Sequence, residues 1–270
     1  MPATTQPDNN NTQRYFLHLA FLGTNYHGWQ RQPNAVSVQQ TLEEALSTLL
    51  RTPICTTGAG RTDTGVHAHH MVAHFDSPAP LDAPRFLNRL NRLLPPDIAA
   101  LLIHPVPPSA HARFSATART YHYHISLRRD PFLTATALYV PYPLDFPLMQ
   151  QAADILLPVT DFASFCKANA DSHTTICHLT DAQWLQVDDH QWFFRISADR
   201  FLRNMVRAIV GTLLDVGRHH TTLDQFSQII QAHTRSAAAQ SIPPQGLTLH
   251  HIDYPSSLIP PPTSPEGQHR

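Results

Sequence analysis

Three of the chain's nine glycines stand at positions 58, 60 and 65, around Arg61, Thr62 and Asp63. Glycine permits positive φ and close approach of backbone to a ligand, so this stretch reads as a tight polar loop presenting a carboxylate. Such a carboxylate has two uses. It can satisfy its own backbone, as Asp and Thr do in hairpin turns. It can also act as nucleophile or base, which requires it to stay ionised in a partly dry pocket with a cation close by. Arg207 is set in the apolar run from Phe201 to Val216, where a buried arginine needs a partner. Arg200 and Arg203 precede it at spacings of seven and four, which leaves open a solvated helical stripe instead.

Other clusters offer rival chemistry. His67, His69, His70 and His74 follow Asp63 closely, and Asp-x3-His-x-His is compatible with a metal-dependent hydrolase. In a regular strand His67 and His69 share one face, His70 and His74 the other. Neither face then holds a full ligand set, and nineteen histidines make local clusters common by chance. Cys166, Cys177 and His178, with His173 nearby, match no common zinc spacing, so no metal is expected. Arg85, Arg89 and Arg92 form one cationic ridge on a helix whose other face is Phe86, Leu87, Leu90, Leu93 and Leu94. That ridge is either a solvated face or a phosphate contact, and it raises a third possibility, a non-catalytic RNA-binding module. Asp63 argues against the last, because a carboxylate facing phosphate adds nothing to a pure binder.

The charge distribution favours a polyanionic partner more than the net charge of −1 does. Residues 85–129 hold seven arginines and one acid, whereas residues 145–189 hold seven acids and one base, Lys167. A basic segment followed by an acidic one implies one positive face. No stretch approaches the roughly 20 apolar residues of a membrane span, and Met1 to Gln13 lacks the apolar core of a signal peptide. Three cysteines fit a reducing compartment, and a cytoplasmic protein is expected.

The elements that must carry these residues alternate. A strand from Arg14 to Leu22 precedes a helix from Val38 to Arg51, with Ser37 as cap and Gln40 completing a capping box. Short strands at Cys55 to Thr57 and Val66 to Phe75 flank the glycine loop. A helix opened by Pro84 ends before Pro95, and Ile98 to Val106 is a strand. The plan then repeats. Thr120 to Leu127 is a strand that sets Tyr121 and Tyr123 on one face. After it come a helix near Leu148 to Leu156, strands near Thr174 to Val187 and Gln191 to Ser197, helices at Phe201 to Val216 and Leu223 to Ala232, and a strand at Leu247 to Tyr254. The expected fold class is α+β, two similar α+β halves, residues 14–108 and 109–255. Residues 1–13 read as a disordered arm and residues 256–270 as a proline-rich disordered tail.

The stretch from Ala59 to Ala68 resembles in full the catalytic motif of the TruA family, tRNA pseudouridine synthases acting on positions 38, 39 and 40 of the anticodon arm. The resemblance continues in family order through Gly23 to Gln30, Leu93 to Ile98, His111 to Ala116 with Tyr121 to Tyr123, Asn204 to Gly211, and Gly246-Leu247. It spans roughly residues 15–255. It implies the pseudouridine synthase fold, a mostly antiparallel sheet shared by the two halves, with the active site in the cleft between them. It assigns Asp63 as the essential carboxylate, Arg207 as its cation, Arg61 to extruding the target nucleotide and Tyr121 to stacking on the flipped uracil. It further implies a tRNA partner, a homodimer and no cofactor. Arg85, Arg89 and Arg92 become candidates for the tRNA backbone. The segment from Val159 to Phe165 lacks the family's Gly-His before Asp-Phe, and Cys177-His178 replaces an expected basic stretch, so RNA contacts there are in doubt.

Overall fold

The computed structural model describes residues 12–167 and 174–259. The first half runs β1 (Gln13–Phe21), α1 (Val38–Leu50), β2 (Thr57–Gly58), β3 (His67–Ser77), α2 (Ala83–Leu93) and β4 (Ile98–Pro105). The second runs β5 (Ala118–Ser126), β6 (Leu138–Tyr139), α3 (Phe146–Leu156), β7 (Leu179–Gln186), β8 (Gln191–Ala198), α4 (Met205–Gly217), α5 (Leu223–Gln231) and β9 (Leu247–Asp253). The strands form one nine-stranded sheet, ordered β4-β1-β3-β9-β5-β8-β7, with β2 added to β3 and β6 to β5. Its pairs are antiparallel except β3 with β9 and β5 with β6. The α+β architecture with a mostly antiparallel sheet is as expected.

Helix α1 starts where the Ser37 hydroxyl accepts from the Gln40 amide at 3.2 Å, and it buries Val38, Leu42, Ala45 and Leu46. The Gln40 side chain turns to Glu44 rather than back to Ser37, so the capping box expected there is not completed. A complete box caps α5 instead, between Thr222 and Gln225. Helix α4 begins four residues later than the apolar run implied, because Asn204 takes the left-handed conformation (φ 67°) and stops the helical path before Met205. Asn tolerates that region better than most residues. Strand β7 likewise starts at Leu179, not near Thr174. The expected arm falls largely outside the described residues, but Gln13 already pairs with Ser77. At the other end Leu258 is half-buried and its carbonyl meets His104 Nε2 at 3.0 Å, so the chain remains built in past Pro255.

Two apolar cores lie under the sheet. One gathers β1, β3 and β4 with α1 and α2, the other β5, β7 and β8 with α3, α4 and α5. Side chains such as Phe16, Phe75, Phe194 and Phe226 are at most 1% exposed, each contributing about 1.5–3 kcal/mol of burial. Strand β9 belongs to both cores: Leu247 packs in the second, Leu249 and Ile252 in the first. Tyr121 packs against both.

The sheet face opposite the helices carries a band of histidines, which departs from the expected alternation. Ala20 faces both His69 and His70, since Leu19 pairs with Met71 and Phe21 with Ala68. Strand β9 has a matching bulge, since Thr120 pairs with His251 and Tyr121 with Leu249. A bulge sets two consecutive side chains toward one side. His69 therefore meets His250 and His70 stacks on His251. The band continues to His18 and His104 on one side and to His122 and His124 on the other.

Candidate active site

The glycine loop between β2 and β3 rests on the segment that follows β1. Trp29 and Gly65 donate to the carbonyls of Thr62 and Tyr26, each at 3.3 Å. Gly28 has φ 83°, and a Cβ there would lie 2.3 Å from the Thr62 carbonyl oxygen. Gly65 has φ 77°, with Pro244 tight against the space a side chain would need. Both positions therefore demand glycine. Below them Asp97 holds the floor, accepting from the Tyr26 hydroxyl at 2.6 Å and from Asn25 at 3.2 Å. The Gly23 to Gln30 and Leu93 to Ile98 stretches thus meet through Tyr26 and Asp97.

The Asp63 side chain is 30% exposed and faces two arginines. Arg207 Nη1 lies 3.7 Å from Oδ2, and Arg203 Nε lies 3.9 Å from Oδ1. Arg207 is 19% exposed and is aimed by its Nε, which donates to the Ile242 carbonyl at 2.7 Å. Arg203 is 59% exposed and sits in the turn ahead of α4. The helical stripe of Arg200, Arg203 and Arg207 therefore does not form. Asn204 breaks it and delivers Arg203 to the carboxylate. Spacing alone places Arg203 in that stripe, and the signal for its real place is the neighbouring Asn204. Among the described residues no group donates a hydrogen bond to either Asp63 carboxylate oxygen.

Tyr121 completes the setting. Its ring meets Phe201 edge-on at 5.1 Å, and its hydroxyl makes no hydrogen bond to a described residue. Burial pushes the phenol pKa up to about 12; the Asp63 charge adds to this and Arg119 opposes it. Near neutrality it therefore keeps its proton. Tyr123 is fully buried and its hydroxyl donates to the Pro243 carbonyl at 2.7 Å, which makes it a packing residue.

Arg61 is exposed beside Asp63, and Arg85, Arg89 and Arg92 are exposed along α2. Helix α2 packs on β4 and α1 at one edge of the sheet, so the ridge is not part of the Asp63 constellation. The histidines after Asp63 serve the backbone. His67 Nδ1 accepts from the Gly23 amide at 2.9 Å, and His74 Nδ1 accepts from Ala112 at 3.1 Å. Among the described residues no three of His, Cys, Asp and Glu are placed to hold a metal ion. Cys166 and Cys177 are buried free thiols, and burial raises Cys177 to about 12. His173 lies outside the described residues.

A family model described as tRNA pseudouridine synthase matches residues 18–115 and 152–255. The chain belongs to the tRNA pseudouridine synthase family. It is 51% identical over 249 residues to tRNA pseudouridine synthase A of Parabacteroides distasonis, covering 92% of this chain and 98% of that protein. The protein of the same name from Porphyromonas gingivalis is 50% identical over 91% of this chain and 99% of its own length. That of Geobacter sulfurreducens is 40% identical over 88% and 98%. Family membership places the chain among the isomerases. Asp63, Arg203 and Arg207 lie inside the matched residues, and Tyr121 lies between the two matched segments. No described helix is long and apolar enough to cross a membrane.

Proposed function

We propose that this isomerase converts uridine to pseudouridine at positions 38, 39 and 40 of the tRNA anticodon arm, with Asp63 as the reacting carboxylate and no cofactor. The observation that carries the reading is a carboxylate in a glycine-built loop, facing two arginines while its oxygens take no hydrogen bond from a described residue. The reaction breaks the ribose C1′–N1 bond, joins C1′ to C5, gives the C5 proton up to solvent and leaves N1 to take a proton in its place. No electrons and no group are exchanged with another molecule. Asp63 serves as nucleophile on base or sugar, or as base on a glycal route. A stem base must be unstacked before its C1′ is reached, and Arg61, exposed two residues from Asp63, occupies the vacated space. Tyr121 stacks on the uracil, and its protonated hydroxyl reaches the C5 proton only through a relay. Arg85, Arg89 and Arg92 follow the RNA backbone. The enzyme works in the cytoplasm as a homodimer.

The test is tritium release from C5-labelled uridine in a tRNA transcript, with Asp63→Asn as the decisive variant. The amide keeps the shape but cannot act as nucleophile or base, so turnover vanishes while tRNA affinity holds within a few-fold. Ordinary turnover by folded Asp63→Asn would remove the central claim.

A further inference from the structure

Arg119 lies on β5, two residues before Tyr121 and on the same face, and forms no ion pair within 4 Å among the described residues. Its guanidinium is spent on four backbone carbonyls. Nη1 donates to Ala116 at 3.1 Å and Asp199 at 2.8 Å. Nη2 donates to Ala59 at 3.3 Å and Arg113 at 2.7 Å. The four acceptors come from three separate chain segments. Ala59 stands four residues before Asp63 in the glycine loop. Asp199 stands four residues before Arg203 and eight before Arg207. Arg113 and Ala116 belong to the loop that leads into β5. One planar fork thus joins the segment carrying the carboxylate to the segment carrying its cations.

We propose that Arg119 is a positioning residue for the isomerisation, holding the Asp63 loop and the Arg203–Arg207 segment in register before the nucleotide arrives. The inference rests on the reading of Asp63 as the reacting carboxylate. The geometry requires arginine. A guanidinium offers donors in fixed directions on two Nη atoms, whereas a lysine ammonium is a single point that cannot serve four carbonyls on different sides. Burial lowers the guanidinium's pKa from its ordinary value, as it does for a cation held by carbonyl dipoles in place of a counter-charge. The contrast with Arg14 is instructive. Arg14 also caps two carbonyls, of Pro108 and Ala110, but spends its remaining donors on Asp76. Among the described residues Arg119 has no acid in hydrogen-bond contact, and its four hydrogen bonds go to the carbonyls of the three segments named above.

The experiment compares the full-length protein with Arg119→Lys and Arg119→Ala, measuring single-turnover rate, tRNA Kd and amide exchange, with Asp63→Asn alongside. Misplacing reacting groups by about 1 Å costs on the order of 100-fold in rate, so Arg119→Lys is expected to lose about that much. The tRNA Kd should stay within about threefold, because the interactions lost belong to the reacting geometry. Exchange should rise in residues 59–65 and 199–204 together and stay unchanged in α1. Free guanidinium should restore turnover to Arg119→Ala. A rate within about threefold of the parent, or exchange rising equally in α1 with Kd weakening in step, overturns the proposal. If Asp63→Asn itself turns over, the carboxylate reading fails, and the paired exchange in the two loops still reports on the clamp.

Discussion

Acidification from pH 7.5 to 5.5 should destabilise this protein markedly, through the histidine band. His18 is 4% exposed and His122 is 9% exposed. Burial, aided by neighbouring histidines, lowers both to a pKa of about 3. His18 faces His70, His104 and His251; His122 faces His250, His124, His69 and Arg195. His18 Nδ1 and His70 Nε2 share a hydrogen bond of 2.7 Å, which needs one ring as donor and the other as acceptor. An unfolded histidine has a pKa of about 6.5. Below that value the unfolded chain takes up protons that the folded chain refuses, so stability is fully present above about pH 6.5 and falls as pH drops toward 3. At pH 5.5 each such residue forfeits about 1 kcal/mol, and the pair about 2–3 kcal/mol, against a typical total of about 5–15. His70 and His124, lowered to about 4, add in the same direction. The assay is urea unfolding followed by tryptophan fluorescence at pH 7.5, 6.5 and 5.5. His122→Phe isolates the cause. The His122 ring stacks on His250 at 3.8 Å and its Nε2 has no hydrogen-bond partner among the described residues, so phenylalanine keeps the stack. That variant should lose up to one proton's worth of pH dependence and be the more stable protein at pH 5.5. An unfolding free energy flat between pH 7.5 and 5.5, or a slope unaltered by His122→Phe, would refute the reasoning.

Three further outcomes are expected. Replacing Arg85, Arg89 and Arg92 together by Gln should flatten the salt dependence of tRNA binding, by roughly 0.7–0.9 in log–log slope per lost phosphate contact; an unchanged slope would mean that the ridge faces solvent. Arg207→Gln should cut single-turnover rate more than Arg203→Gln, since Arg207 is the more buried and is anchored by Ile242; equal losses would show that anchoring is irrelevant. Tyr121→Phe should bind tRNA normally, keeping stacking worth about 1–3 kcal/mol, while losing turnover. Tyr123→Phe is the packing control, and the reverse pattern would put the wrong tyrosine in the site.

The parts of this molecule legible in the sequence are those set by local chemistry. Ser37 and the Val38, Leu42, Ala45 and Leu46 stripe announce α1, and glycine density announces the Asp63 loop. What was illegible depends on departures from periodicity or on the backbone. A period of 3.6 read through the Phe201 to Val216 run passes over Asn204, whose positive φ is the reason Arg203 reaches Asp63. A period of 2 read through β3 splits His69 from His70, and only the pairing with Ala20 reveals the bulge that reunites them. Arg119 left no trace at all, because its partners are carbonyl oxygens, which every residue type supplies.

The distances at Asp63, the carboxylate proposed to react, differ from those at a structural carboxylate of the same chain. Arg14 and Asp76 form a two-pronged fork at 2.8 and 2.9 Å, and that hydrogen bonding holds Asp76 below the usual carboxylate range. Such a fork fixes strand ends well, but it occupies the lone pairs that a nucleophile or base must offer. At Asp63 the two cations stand back at 3.7 and 3.9 Å, one per oxygen, with no hydrogen bond to either from a described residue. Charge–charge attraction falls only as 1/r, whereas hydrogen bonds weaken steeply beyond about 3.2 Å. The looser pair therefore keeps most of the attraction while leaving both oxygens available to an incoming atom. Holding that separation requires both flanking segments to be fixed independently of the pair, the loop by the Tyr26–Asp97 floor and Arg207 by Ile242. The arginines are supplied by the second half and the carboxylate by the first, so the separation also depends on β9, whose side chains anchor in both cores.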